Sequence, residues 1–200
     1  MTDVQTGQVR RADAQRNRAA IIDAALACLA TNARASMTEI AQAAGVGRVT
    51  LYGHFSSRRE LLDAAAAQTM RVAEDRLAPL KLDGDPRAAL DTLVRSSWRI
   101  VDDFHGLIAA AEDELGSEQI RAHHEATMHR VQRLIERGQQ TGAFRTDLSP
   151  GWLTSCYFSL LHGTAAEIRA GRMTESEAEE SLPATINSLT AGQHFVATQE

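Results

Sequence analysis

Between Ser36 and Leu61 the chain has room for little besides two short helices and a sharp turn. Ser36 is followed three residues later by Glu39, and Ser57 by Glu60, each with the spacing of a capping box that opens a helix. Gly45 stands between them as a left-handed stop, and Phe55 closes the run that begins at Arg48. The result is a helix of about Met37–Ala44, a three-residue "GVG" turn, a helix over Arg48–His54, and a longer helix from Ser57 to about Leu77. Val46 buries as the pin between the first two. Ile40, Ala41, Ala44 and Leu51 supply a small core, closed by Leu26 and Leu29 of a preceding amphipathic helix over Asn17–Thr31. Two short helices joined so tightly make a helix-turn-helix.

The rest of the chain also reads as helix. Asp85-Pro86 is an N-cap followed by proline at the first helical position. The helix it opens carries Leu90, Leu93, Val94, Trp98 and Val101. Shorter apolar segments over 104–115 follow, then one helix over 118–141, one over 149–170 and one over 174–191 capped by Thr174 and Glu177. Pro183 should kink the last of these. Residues 1–15 lack periodicity and read as a mobile arm, and Pro79–Pro86 reads as the linker. The organisation expected is an arm (1–15), a helix-turn-helix domain (16–65) and a helical domain (66–200).

Charge separates these parts. Residues 1–60 hold eight arginines against five acids, while residues 61–200 hold thirteen basic residues against twenty-one acids. A basic front on an acidic remainder suggests that only the front faces a polyanion, with a solvated charged surface the other reading that charge alone leaves open. No apolar run spans a bilayer and no secretory leader opens the chain, so a cytoplasmic location is expected, without membrane partners. Cys28 and Cys156 lie in apolar helical patterns and read as buried free thiols.

The segment MTEIAQAAGVGRVTLYGHFSSRRELLDA, residues 37–64, resembles the DNA-binding domain of TetR-family transcriptional regulators. Their usual pattern is T-x-x-x-I-A-x-x-A-G-V-S-x-G-T-L-Y-x-H-F-x-S-K-x-E-L. Ile40, Ala41, Ala44, Gly45, Val46, Thr50, Leu51, Tyr52, His54, Phe55, Ser57, Glu60 and Leu61 fit it, and the resemblance covers about residues 16–65. It departs at Gly47, where serine would cap the second helix, at Val49, which replaces a glycine, and at Arg58, which replaces a lysine.

The resemblance implies an all-α protein. A three-helix DNA-binding domain would precede a helical ligand-binding and dimerisation domain, with double-stranded operator DNA, a second copy of the chain and an unidentified small-molecule effector as partners. Arg48 is the expected base reader, because arginine can bond guanine bidentately. Val49 could pack on a thymine methyl, and Thr50, Tyr52 and His54 offer donors to phosphate or, for Thr50, to a base edge. Tyr52 is expected with its ring buried and its hydroxyl on phosphate, and Arg58 beside the DNA backbone. Thr38 joins the DNA-facing set although it fits the pattern poorly.

The helices over 149–170 and 174–191 are the expected dimer bundle. Trp98, Phe104, Met128, Tyr157, Phe158 and Leu161 are candidates to line an effector pocket, with His105, His124 and His162 as polar handles. Most such residues are core in any helical domain. The run RAHHEATMH lacks the H-E-x-x-H spacing of zinc proteases, so neither a metal nor a cofactor is expected. A regulator without a small-molecule ligand and a helical enzyme using the histidine-bearing region are the rival readings. No nucleophile–base pair marks a catalytic residue.

Overall fold

The computed structural model describes residues 2–192. Residue 1 and residues 193–200, the outer ends of the expected arm and of the last domain, lie outside the described residues. Among the described residues ten helices follow one another: α1 (Thr2–Thr31), α2 (Met37–Ala43), α3 (Arg48–His54), α4 (Arg58–Leu77), α5 (Pro86–Asp103), α6 (His105–Glu114), α7 (Ser117–His123), α8 (Glu125–Gln140), α9 (Pro150–Arg169) and α10 (Glu175–Thr190).

The expected caps are present. The Ser36 and Thr174 side chains accept from the amides of Glu39 and Glu177, and both glutamates return to the capping residue's amide. Ser149 accepts from the Trp152 amide, and Asp85 from the Ala88 amide at 2.9 Å. At α4 the box is displaced by one residue. Ser57 accepts from the Glu60 amide at 3.1 Å, but Glu60 returns to the Ser56 amide and hydroxyl at 2.8 and 2.7 Å. These bonds from Ser56, the hydroxyl's first, hold the Glu60 carboxyl below its ordinary range. Gly45 and Gly142 end their helices with φ of 68° and 74°, a conformation that costs glycine no Cβ clash.

Two elements differ from the sequence reading. The stretch read as an arm is helical from Thr2, continuous with α1. Its lack of an apolar stripe hid it, although its Gln, Arg and Ala content favours helix. The single helix expected over 118–141 is two, parted at His124, which has φ −89° and ψ −1°. Pro183 lies inside an uninterrupted α10. It cannot donate to the Glu179 carbonyl, and that oxygen accepts from Arg95 at 3.3 Å instead.

The helices form two compact units. A head comprises the chain up to Arg71 together with Phe104–His123; a body comprises Val72–Asp103 and the chain from His124 on. The boundary therefore falls inside α4 rather than after residue 65, and Pro79–Pro86 lies wholly within the body.

The head core gathers Ile21, Ala25 and Leu29 of α1, Ile40 and Ala41 of α2, Leu51 of α3, Phe55, and Leu61, Leu62 and Ala65 of α4. Leu107, Ala110, Ala111 and Leu115 of the α6 stretch complete it, with Val46 and Leu26 packed against its edge. In the body, Leu90, Leu93, Val94 and Trp98 of α5 are buried, as are Val131 and Ile135 of α8, Leu153 and Leu161 of α9, and Leu182 and Ile186 of α10. Cys28 and Cys156 are free thiols, only partly buried. No helix among the described residues is long and apolar enough to cross a membrane.

In the head, α6 approaches α1 closely enough to exclude a side chain. A Cβ placed on Gly106 would stand 2.0 Å from the Leu29 carbonyl oxygen. Gly106→Ala must lift one helix from the other, so it should lower unfolding free energy by about 1–3 kcal/mol, measured by urea titration of the variant against the parent chain.

Candidate nucleic-acid interface and effector site

α3 is seven residues long and presents two opposed faces. Leu51 and Phe55 are one turn apart and both 0% exposed. The Arg18 guanidinium carbon lies 4.8 Å from the centre of the Phe55 ring. On the other side Arg48, Val49, Thr50 and Tyr52 are exposed, Val49 to 89%. Two apolar side chains thus hold the helix down while four others stand clear. His54 is half-buried, and Thr38 on α2 is exposed. Gly47 provides no side-chain cap at the start of α3.

Two of the expected DNA contacts have different surroundings from those anticipated. Tyr52, expected with its ring buried, is 43% exposed as a residue, because the inward positions one turn apart belong to Leu51 and Phe55. Arg58 is turned inward. Its guanidinium donates to the Ala35 carbonyl, and to that of Ala33 at 2.8 Å, with Glu114 at 3.5 Å. A side chain so committed is not a free phosphate ligand.

A recess of about 400 Å³ borders this surface, lined among others by Arg34, Thr38, Tyr52, Arg58, Asp113 and Glu114. Arg34, exposed in the loop before α2, was not singled out from the sequence. It belongs to no periodic pattern, and only its placement beside Thr38 and Tyr52 marks it. Charge also redistributes on folding. Residues 104–123 bring four acids and one arginine to the head, so its basic character is local to the segment up to α3 rather than a property of the whole unit.

The effector candidates divide between the units. Phe104 and His105 belong to the head, both half-buried. Trp98, His124, Met128, Tyr157, Leu161 and His162 belong to the body. Trp98 and Leu161 are core residues, exposed to 4% and 1%, and Met128 is half-buried.

The Tyr157 hydroxyl lies 2.8 Å from Ser97 Oγ and 3.3 Å from the Leu93 carbonyl oxygen. Burial pushes its pKa well above the ordinary tyrosine range. The His124 ring meets those of His162 and Phe158 edge-on, with centroids 5.4 and 5.8 Å apart, and Phe158 meets Tyr157 at 5.3 Å. His162 Nδ1 is buried without a hydrogen-bond partner. Desolvation, helped by His124 and Arg169, lowers the His162 pKa to about 4. The body also has a recess of about 240 Å³ lined by Arg87, Phe144, Asn187, Thr190 and Ala191, none of them an expected effector contact. Among the described residues no three metal-ligating side chains converge.

Two short helices joined by a tight turn, α2 and α3, the second exposed on one face and pinned to a core on the other, form a helix-turn-helix, the motif by which such proteins read DNA. Residues 21–65 match the family described as bacterial regulatory proteins, tetR family. Over that segment the chain is similar to these regulatory proteins, and its similarity to curated transcriptional regulators extends beyond it. It is 27% identical over 184 residues to the HTH-type transcriptional repressor LfrR of Mycolicibacterium smegmatis, covering 89% of this chain and 90% of that one. The HTH-type transcriptional regulator NfxB of Pseudomonas aeruginosa is 24% identical over 164 residues, covering 81% and 88%. The crystal structure of LfrR from Mycobacterium smegmatis in complex with proflavine superposes with a TM-score of 0.65 at 25% identity, covering 87% of this chain and 96% of that one.

The buried neutral His162 has a measurable signature. Its folded pKa lies below the unfolded value of 6.5, so the unfolded chain binds the proton first as pH falls. Its contribution is complete above pH 6.5 and is lost on the way to pH 4, by at most about 3 kcal/mol. The carboxylates held low by their partners, such as Glu39 and Glu177, lose their contribution only below about pH 4.5. The unfolding free energy from urea titration should therefore fall between pH 7 and 5 in the parent chain and fall less in His162→Phe.

Proposed function

We propose that this chain is a sequence-specific repressor that binds a two-fold operator as a homodimer and leaves it when a small molecule binds the body. The observation that carries the reading is α3: Arg48, Val49, Thr50 and Tyr52 stand in solvent on a helix pinned by buried Leu51 and Phe55. The second helix of such a motif enters the major groove with its N-terminal residues at the base edges. Arg48 makes no hydrogen bond or ion pair among the described residues, so a guanine edge meets no internal competitor. Thr38 and His54 flank this surface as phosphate donors. Repression and effector response are supported by likeness to LfrR, a repressor solved with proflavine. A cytoplasmic, non-enzymatic role follows from the same reading.

One recognition helix covers few bases, and a two-fold partner places a second reader about one helical turn, roughly 34–36 Å, away. The outer face of α9 suits such pairing. Trp152 is 58% exposed, and Ser159, Gly163 and Ala170 continue its face as small exposed residues. Sedimentation equilibrium at micromolar concentration should give about twice 21.7 kDa, and Gly163→Arg should shift it toward the monomer. A wild-type chain that stays monomeric would refute the dimer.

DNA reading is tested by selection from a random duplex pool, followed by titration of the enriched sequence. Arg48→Ala should cost about 1–3 kcal/mol at one base pair of each half-site and relax preference there. Equal weakening on enriched and scrambled duplexes would remove Arg48 from the base-reading role.

A further inference from the structure

The arginines that open α4 face away from the role their position suggests. Arg58 bonds the Ala33 and Ala35 carbonyls and lies 3.5 Å from Glu114 on α6. Arg59 donates to the Glu114 carbonyl, to that of Leu115 at 3.0 Å and to the Gln119 side chain. It therefore caps the C-terminal carbonyls of α6, which have no partner inside that helix. One turn on, Asp63 Oδ1 accepts from Gln119 Nε2 at 2.6 Å and meets His123 Nε2 at 2.7 Å. The first turns of α4 are thus fastened to α6 and α7 through three polar anchors, Arg58, Arg59 and Asp63. Beneath them Leu107, Ala110, Ala111 and Leu115 enter the same core as Leu51 and Phe55 of the reading helix, and Gly106 seats α6 directly on the α1 backbone.

We propose that α6 and α7 are a working part of the DNA-reading head, and that Arg58 and Arg59 are positioning residues which fix α4, and through it α3, rather than contacts to DNA phosphate. The inference rests on the DNA-binding reading above. α3 is joined to α4 by only three residues, Phe55, Ser56 and Ser57, so the direction of α4 constrains where Arg48 and Tyr52 point. Specific recognition requires base-reading side chains in register, whereas nonspecific binding requires only nearby positive charge. Loss of a positioning residue should therefore penalise the first and spare the second.

The test uses the full-length chain, the duplex it enriches from a random pool and a scrambled duplex of equal length, each titrated across a salt series. Arg58→Ala and Arg59→Ala should weaken binding to the enriched duplex tenfold or more. They should change binding to the scrambled duplex less than twofold and leave the slope of log affinity against log salt unchanged. Arg59→Lys should recover part of the loss. Asp63→Asn leaves both arginines in place and touches only α7, so it gives the same pattern in milder form and keeps the test decisive if an alanine variant fails to fold.

A slope reduced by about 0.9 for each arginine would make them phosphate contacts and overturn the proposal. So would unchanged affinity for the enriched duplex, or an equal loss on both duplexes. A wild-type chain that enriches no sequence would instead defeat the DNA-binding reading itself, a result distinct from any of these.

Discussion

A seven-residue helix does not hold together in water, because nucleation costs more than so few hydrogen bonds return. α3 is such a helix, and it begins at Gly47 without a side-chain cap. Its existence depends on burying Leu51 and Phe55 completely in the core built by α1, α2, α4 and α6. Those two side chains also decide the remaining faces. With the inward positions occupied, Val49 and Tyr52 have nowhere to go but outward, and the chemistry of the surface follows from the packing below it. The exposed tyrosine is therefore a consequence of the same contact that anchors the helix.

What was legible in the sequence is what adjacent residues decide among themselves. The Ser36–Glu39 and Thr174–Glu177 boxes, the Gly45 stop and the bounds of α3 all depend on neighbours within one turn. What was hidden depends on partners far along the chain. Arg58 looks like a phosphate ligand until Ala33, Ala35 and Glu114 are brought beside it. The break at His124 carries no glycine or proline signal. It falls where His123 turns to Asp63 in the head while the next residue begins the body. The Glu60 return to Ser56 shows the same limit at small scale: the box spacing is right, but the donor is one residue away.

The effector candidates illustrate a different obstacle. Aromatic and histidine residues at helical spacing serve a core and a ligand site equally well, and Tyr157 and Trp98 are both fully used in packing. His162 differs in kind. A buried ring nitrogen without a partner is an expense that cores avoid, and the His124 ring meets His162 edge-on with centroids 5.4 Å apart. Spacing in the sequence could nominate His162 but could not distinguish it from its neighbours; its missing hydrogen bond does.

The head is discontinuous along the chain, and this bears on how it is made. Synthesis delivers the N-terminal part first, so α1 to α4 emerge with Leu51, Phe55 and Leu61 lacking the cover of Leu107, Ala111 and Leu115. Between the two parts of the head the ribosome must produce the whole of Val72–Asp103, which belongs to the body. The reading head therefore closes over a long loop, a step whose entropy must be spent before its contacts form, and a nascent chain stalled before residue 104 would leave part of its apolar core open to any other hydrophobic surface nearby.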